Sequence, residues 1–278
     1  MNTALDNLLR RYLMEDASLG DPTSDLVPHK QVTAHVIAQS ELVVSGIQEA
    51  MRLVDLTCLK AVSKAKDGEK VKPGRILMEI KGDSHSILTL ERTILNILIE
   101  MSSIATETHK LRSLAKEGNP TIQIAATRKT TPGFKTLSKK AVRTGGGDPH
   151  RLTLSHMILL KNNHIALFSS VRAAVEKACK DASFTQKIGV EVETPQQAVE
   201  AATAGADLIL IDNQPPQKIK ETSSLLARKG FRNKIILEVS GGISRENAKK
   251  YAAAGADVLS TSSILHPPRV QIHLSILP

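Results

Sequence analysis

Between Arg128 and Lys161 the chain places eight basic residues, Arg128, Lys129, Lys135, Lys139, Lys140, Arg143, Arg151 and Lys161, against the single acid Asp148. A net +7 within 34 residues is suited to holding negative charge. Farther along, acids stand at the ends of apolar runs: Glu191 and Glu193 in IGVEVE, and Asp212 in ADLILID. Two carboxylates at neighbouring strand ends suit Mg2+, a hard cation usually held by one or two carboxylates with substrate phosphates and water. Glu193, two residues beyond Glu191, shares its side of an extended strand and can support it. Ser240-Gly241-Gly242 precedes a helix expected to start near Ser244, so its free N–H groups and the helix N-terminus read as a phosphate site. A tight turn requiring glycine would account for the same residues. Gly145-Gly146-Gly147, followed by His150-Arg151, must also turn the chain, and its N–H groups can approach an anion without Cβ interference. A plain surface loop is the alternative, since neither GxxxxGK[ST] nor a strand-linked GxGxxG is present.

Composition narrows the partner. The whole chain has 37 Lys and Arg against 28 Asp and Glu, a formal charge of +9. Nucleic acid would call for aromatic residues to stack on bases or a basic helix to enter a groove. Aromatics make up 2% of the chain, Phe134 is the one within the basic segment, and no helix-turn-helix or zinc-finger spacing occurs. A small polyanion therefore fits better than a polymer. No Ser-His-Asp order, HExxH or Cys-His pairing suggests covalent or hydrolytic chemistry, which leaves a transferase. Apolar runs such as Ile94 to Ile99 fall far short of the ~20 residues of a membrane span. Asp6, Glu15 and Asp16 interrupt the N-terminal region, so no secretory signal is expected and a cytoplasmic location is. Cys58 and Cys179 lack a partner at ligand spacing and are expected to be reduced, buried thiols without a site role.

These groups need a scaffold. The strand candidates Ile188 to Glu193, Ala206 to Asp212, Lys234 to Ser240 and Ala256 to Ser260 are separated by amphipathic stretches of helical length. A helix from Pro195 has Thr194 as its N-cap and Gly205 as its stop, and the helix after Ser244 ends in the same way at Gly255. AATAGADLI and YAAAGADVL thus occupy equivalent places two units apart. Runs that are apolar throughout suit a parallel sheet covered on both faces. Units recurring every ~25 residues over roughly 110–265 allow six or seven, short of the eight of a full barrel. A doubly wound open sheet is the other architecture. Both put functional groups at strand carboxyl ends. The first ~110 residues, with a helix over Leu5 to Met14, short strand-like runs and an apolar helix over Ile87 to Lys110, read as a separate α+β domain. Arg92, among apolar neighbours in that helix, reads by itself as a snorkelling surface residue.

The segment ATRKTTPGFKTLSKKAVRTGGGDPHRLTLSHMILLKNNHI (Ala126 to Ile165) resembles the signature of the quinolinate phosphoribosyltransferase family, the decarboxylating nicotinate-nucleotide pyrophosphorylases of NAD synthesis. GDPTSDL, ERTILNIL, SSIAT, VEVE, IDN and EVSGGI add matches in order over nearly the whole chain. The resemblance implies an α/β fold, an incomplete seven-stranded α/β barrel over 111–266 with an N-terminal α+β sandwich domain over 1–110, which the tail 267–278 would rejoin. It implies a homodimer or higher oligomer whose active sites are shared between subunits.

It also implies roles. Arg128, Lys129, His150, Arg151 and Lys161 would bind quinolinate, with Arg92 entering from the partner subunit. Glu191 and Asp212 would hold the ribose hydroxyls and Mg2+ of phosphoribosyl pyrophosphate, and Ser240, Gly241, Gly242 and Ser262 its 5′-phosphate. Lys129, Lys161, Glu191 and Asp212 form the implied catalytic set. Three positions depart from the common family pattern: Ser103 and Ser262 where Gly is frequent, and Asn162 where Asp is frequent. A paralogous group associated with molybdenum transport, acting on another acid, shares the fold and a Ser near position 262 but lacks the RKTTPGF and KxNH features.

Overall fold

The computed structural model describes residues 3–277. They divide into two compact units, 3–107 with 267–277, and Thr108–His266. The first unit contains α1 (Thr3–Ala17), β1 (Gln31–Ala38), β2 (Leu42–Val43), α2 (Ile47–Asp55), β3 (Lys60–Ser63), β4 (Lys70–Val71), β5 (Ile76–Asp83) and most of α3 (Ser84–Lys116). Helix α3 overruns the expected Ile87 to Lys110 at both ends. Asp83 accepts a hydrogen bond from the Ser86 N–H at its start, and Leu111 and Ala115 carry the buried i, i+4 stripe onward.

The second unit alternates strand and helix: β6 (Gln123–Ala126), α4 (Lys135–Thr144), β7 (Ile158–Leu160), α5 (Asn162–Ile165), α6 (Val171–Asp181), β8 (Ile188–Val192), α7 (Pro195–Ala204), β9 (Leu208–Asp212), α8 (Pro216–Arg228), β10 (Ile236–Ser240), α9 (Ala248–Ala253) and β11 (Val258–Thr261). Its six strands form one parallel sheet in the order β6-β11-β10-β9-β8-β7. Beside β6, on the side away from β11, Asp148 makes a one-residue parallel bridge with Ala125. The seventh strand of the incomplete barrel is thus reduced to this bridge. All five residues of β8 are buried, as a covered parallel strand requires. The chain ends in β12 (Ile272–Leu277), which pairs antiparallel with β1 in a second sheet of order β12-β1-β5-β3, while β2 and β4 form a small ladder. Among the described residues no helix is long and apolar enough to cross a membrane.

The duplicated AGAD sequences have a mechanical purpose. Gly205 is left-handed at φ 103° and Gly255 at φ 102°, each ending its helix. Asp207 then accepts the Ile188 N–H at 2.8 Å, and Asp257 accepts the Leu237 N–H at 2.8 Å. Each aspartate ties the start of its own strand to the neighbour before it, and β9 and β11 therefore begin two residues later than the apolar runs do. Thr194 and Gln197 cap α7 reciprocally. The last helix starts at Ala248 rather than near Ser244, because 244–247 form a turn in which Asn247 Oδ1 accepts the Ser244 N–H.

The glycine run does not present its amides to an anion. The N–H groups of Gly145, Gly146 and Gly147 bond to the carbonyls of Ala141, Arg143 and Val142, closing the C-terminus of α4 in a Schellman arrangement with Gly146 left-handed at φ 84°. A Cβ on Gly147 would stand 2.6 Å from Thr108 Cγ2 and 3.1 Å from the Ile124 carbonyl. Gly147→Ala should therefore lower stability by about 1–3 kcal/mol, measured by urea unfolding.

Both cysteines are exposed, contrary to the expectation. Cys58 follows α2 in a turn, and Cys179 lies on α6 with its thiol toward the Ala204 and Gly205 carbonyls at the end of α7.

Candidate active site

The carboxyl ends of the parallel strands enclose a cavity of about 210 Å3. Thr127, Arg128 and Lys129 follow β6; His150 and Arg151 follow the Asp148 bridge; Leu159 comes from β7 and Lys161 follows it, Leu210 and Asp212 come from β9, Glu238 and Ser240 from β10, and Ser260 from β11. The pairs 210/212 and 238/240 sit two apart because alternate residues of a strand share a face. Five basic side chains thus converge on one small space with two carboxylates.

His150 is held from two directions. It takes a left-handed conformation, φ 53°, uncommon for a residue other than glycine, and its N–H donates to Asp148 Oδ1 at 2.5 Å. Its Nε2 is hydrogen-bonded to Glu238 Oε2 at 3.1 Å. Glu238 is 3% exposed. The Arg128-Lys129 segment is fixed by the Thr127 hydroxyl, which accepts the Lys129 N–H, and by His266, whose Nε2–H donates to the Lys129 carbonyl at 2.9 Å. Burial, then the nearby Arg128 guanidinium, pull Arg151 below the usual arginine range, and Glu238 partly offsets them. Two guanidiniums share the cavity at a cost that a bound dianion would relieve.

Glu191 stands at the rim of an adjoining recess of about 320 Å3, lined by Asn162, Glu191, Val192, Glu193, Asp212, Asn213 and Gln214. Asp212 borders both spaces. Lys161 Nζ lies 3.2 Å from Glu191 Oε2, a buried oxygen that makes no hydrogen bond. Asn162 Nδ2 donates to Glu193 Oε1 at 3.2 Å.

Other expected site residues do not line the cavity. Arg92 is exposed on α3, within the first unit. Gly241 serves packing: it is left-handed at φ 88°, and a Cβ there would lie 2.3 Å from Asn213 Oδ1, while the Asn213 N–H donates to the Ser240 carbonyl at 3.0 Å. Gly242, φ 61°, opens onto free space. With α9 beginning at Ala248 and only six residues long, the helix N-terminus drops out of the phosphate reading and the loop amides remain. Ser262 follows β11, two residues beyond the cavity-lining Ser260.

Two residues of consequence were not singled out from sequence. Glu238 carries a signal, a lone acid in an apolar run spaced two from Ser240. Lys139 carries none, since a buried lysine is indistinguishable there from its seven basic neighbours.

Residues 21–102 match the family description quinolinate phosphoribosyl transferase, N-terminal domain, and residues 104–274 match the C-terminal domain of the same family. The chain belongs to the quinolinate phosphoribosyltransferase family. A probable nicotinate-nucleotide pyrophosphorylase (carboxylating) of Archaeoglobus fulgidus is 42% identical over 259 residues, covering 93% of this chain and 98% of the relative. One from Bacillus subtilis is 36% identical, covering 94% and 89%. The solved nicotinate-nucleotide pyrophosphorylase of Francisella tularensis superposes with a TM-score of 0.91 at 34% identity, covering 100% of this chain and 97% of that one.

Ser103, Asn162 and Ser262 are each accommodated locally. Ser103 Oγ donates to the Ile99 carbonyl and accepts the Val270 N–H at 2.9 Å, tying down the C-terminal tail. Asn162 holds Glu193. Ser262 has φ −92°, a conformation that does not require glycine.

Proposed function

We infer that this chain is a pentosyltransferase that moves the phosphoribosyl group of phosphoribosyl pyrophosphate to quinolinate with decarboxylation, yielding nicotinate mononucleotide, pyrophosphate and CO2 in NAD biosynthesis. The observation that carries the reading is the convergence of Arg128, Lys129, His150, Arg151 and Lys161 on one cavity edged by Asp212. Two carboxylates on one ring need more than one cation, and arginine forks fix their plane. The ring nitrogen is then presented to the ribose anomeric carbon. The carbon–oxygen bond to pyrophosphate breaks with its electron pair on the leaving oxygen, and the nitrogen lone pair forms the new bond. Loss of the adjacent carboxylate as CO2 leaves its electron pair on the ring carbon, stabilised by the positive ring nitrogen, and a proton completes the product. Positioning and electrostatics suffice without an enzymic nucleophile.

Glu191 and Asp212 are placed in our reading on the ribose side, where they offset positive charge developing at the anomeric carbon; Ser240, the Gly241 and Gly242 amides and Ser262 take the 5′-phosphate. The same two carboxylates suit Mg2+. Glu191 Oε2, buried, faces the Lys161 ammonium at 3.2 Å, so a cation is accommodated there, and among the described residues no cluster of three or more ligating side chains exists, so water and substrate phosphate would complete the shell of Mg2+. Bound there, Mg2+ would neutralise charge on the departing pyrophosphate. We read the protein as a cytoplasmic enzyme without nucleic-acid or membrane partners.

Titration calorimetry tests the substrate class: quinolinate should bind at least about tenfold more tightly than the monoacid nicotinate, since losing one charge-assisted contact costs about 1.5–3 kcal/mol. Equal affinities would count against the dicarboxylate reading. A homodimer or higher oligomer in which Arg92 serves the partner's cavity is the assembly we propose. Mixing inactive Arg92→Ala and Lys161→Ala chains should restore part of the activity, and no recovery would refute shared sites.

A further inference from the structure

Lys139, on α4, is 2% exposed and does not line the cavity. Its Nζ donates to the carbonyls of Ala126 at 2.8 Å, Thr127 at 2.8 Å and Pro149 at 2.5 Å. Three ammonium hydrogens meet three acceptors, so the buried charge is fully satisfied. The acceptors belong to two separate segments. Ala126 and Thr127 lead directly into Arg128-Lys129, and Pro149 leads into His150-Arg151. Between these segments the sheet supplies only the single Ala125 to Asp148 bridge. Where a full strand would continue the ladder, one side chain spans the gap. A buried lysine is an expensive way to join loops: burial pulls it down to about 8, against a favourable pull from Asp148.

We propose that Lys139 is a positioning residue, which by gripping the Ala126, Thr127 and Pro149 carbonyls sets the spacing between the Arg128-Lys129 and His150-Arg151 pairs and so the fit of the cavity to two carboxylates. The inference rests on the quinolinate reading above.

Lys139→Met removes the three donors with little change in length. The folded variant should bind quinolinate about 10- to 100-fold more weakly, as misplacement of binding groups by about an ångström does, while nicotinate affinity changes by less than about threefold. Lys139→Arg, which keeps charge and donors, should recover most of the loss. A folded Lys139→Met variant with quinolinate affinity within about twofold of the unaltered protein would overturn the proposal. Should that variant not fold, the unaltered protein decides. Between pH 7 and pH 9.5 a neutral amine has two hydrogens for three carbonyls, so quinolinate affinity should fall by about fivefold or more, a fall absent in Lys139→Arg. Asp148 favours the Lys139 charge, Arg128 and Lys135 oppose it, and Lys140 and Arg143 line the same recess on α4. A level profile in the unaltered protein would overturn the proposal. If the unaltered protein binds no quinolinate at any pH, the functional reading fails instead, before any variant is compared.

Discussion

Asp212→Asn should lower kcat by about 10²–10³-fold, the usual loss when one preorganised group facing transition-state charge is removed. Asp212 ends β9 and borders both the cationic cavity and the recess holding Glu191. Its Oδ2 accepts a hydrogen bond from Asn213 Nδ2 at 3.0 Å, which an asparagine oxygen can also accept, so the loop keeps its geometry. The loss is one of charge, felt where the ribose becomes positive and where Mg2+ would be held. Quinolinate affinity should not fall, because the substitution removes a negative charge from the small cavity that a dianion would share with five cationic or basic side chains. Steady-state kinetics with parallel calorimetry would separate the two; a variant with kcat within about tenfold of the original would remove Asp212 from the reaction.

Arg151→Ala should have the opposite signature. Arg151 lies in the cavity beside Arg128, its charge disfavoured by burial and by that neighbour. Bringing in a dianion reverses the balance, so the guanidinium contributes more to binding the dicarboxylate than a solvent-exposed arginine would. Truncating one partner of such a pair costs about 2–5 kcal/mol, so quinolinate KM should rise by about 30-fold or more, with a smaller rise for phosphoribosyl pyrophosphate. The preference for quinolinate over nicotinate should shrink at the same time. An unchanged preference would place the dicarboxylate elsewhere.

Sequence revealed the site's chemistry more readily than its mechanics. The cations of the Arg128 to Lys161 segment were legible as a pocket because they occur without aromatics, and four of the eight do line the cavity with His150. Lys135, Lys139, Lys140 and Arg143 border a separate recess on α4, with Lys139 itself buried, a partition from the cavity that depends on which way each helical side chain faces. The βα repeats were legible because AGAD recurs with a left-handed glycine and an aspartate that bonds the preceding strand. The glycine run stays ambiguous in sequence because free N–H groups and helix-capping ones look alike there; only the Ala141, Val142 and Arg143 acceptors distinguish them. The turn over 244–247 likewise hid the late start of α9. Glu238 was overlooked because an acid in an apolar run has no evident partner until the fold brings His150 to it, 88 residues away.

The most direct measurement uses the purified protein with Mg2+, phosphoribosyl pyrophosphate and quinolinate labelled in the carboxylate adjacent to the ring nitrogen. The account predicts labelled CO2 and nicotinate mononucleotide in equal amounts, dependent on both substrates. Failure to release either product under conditions in which the folded protein binds quinolinate would contradict it.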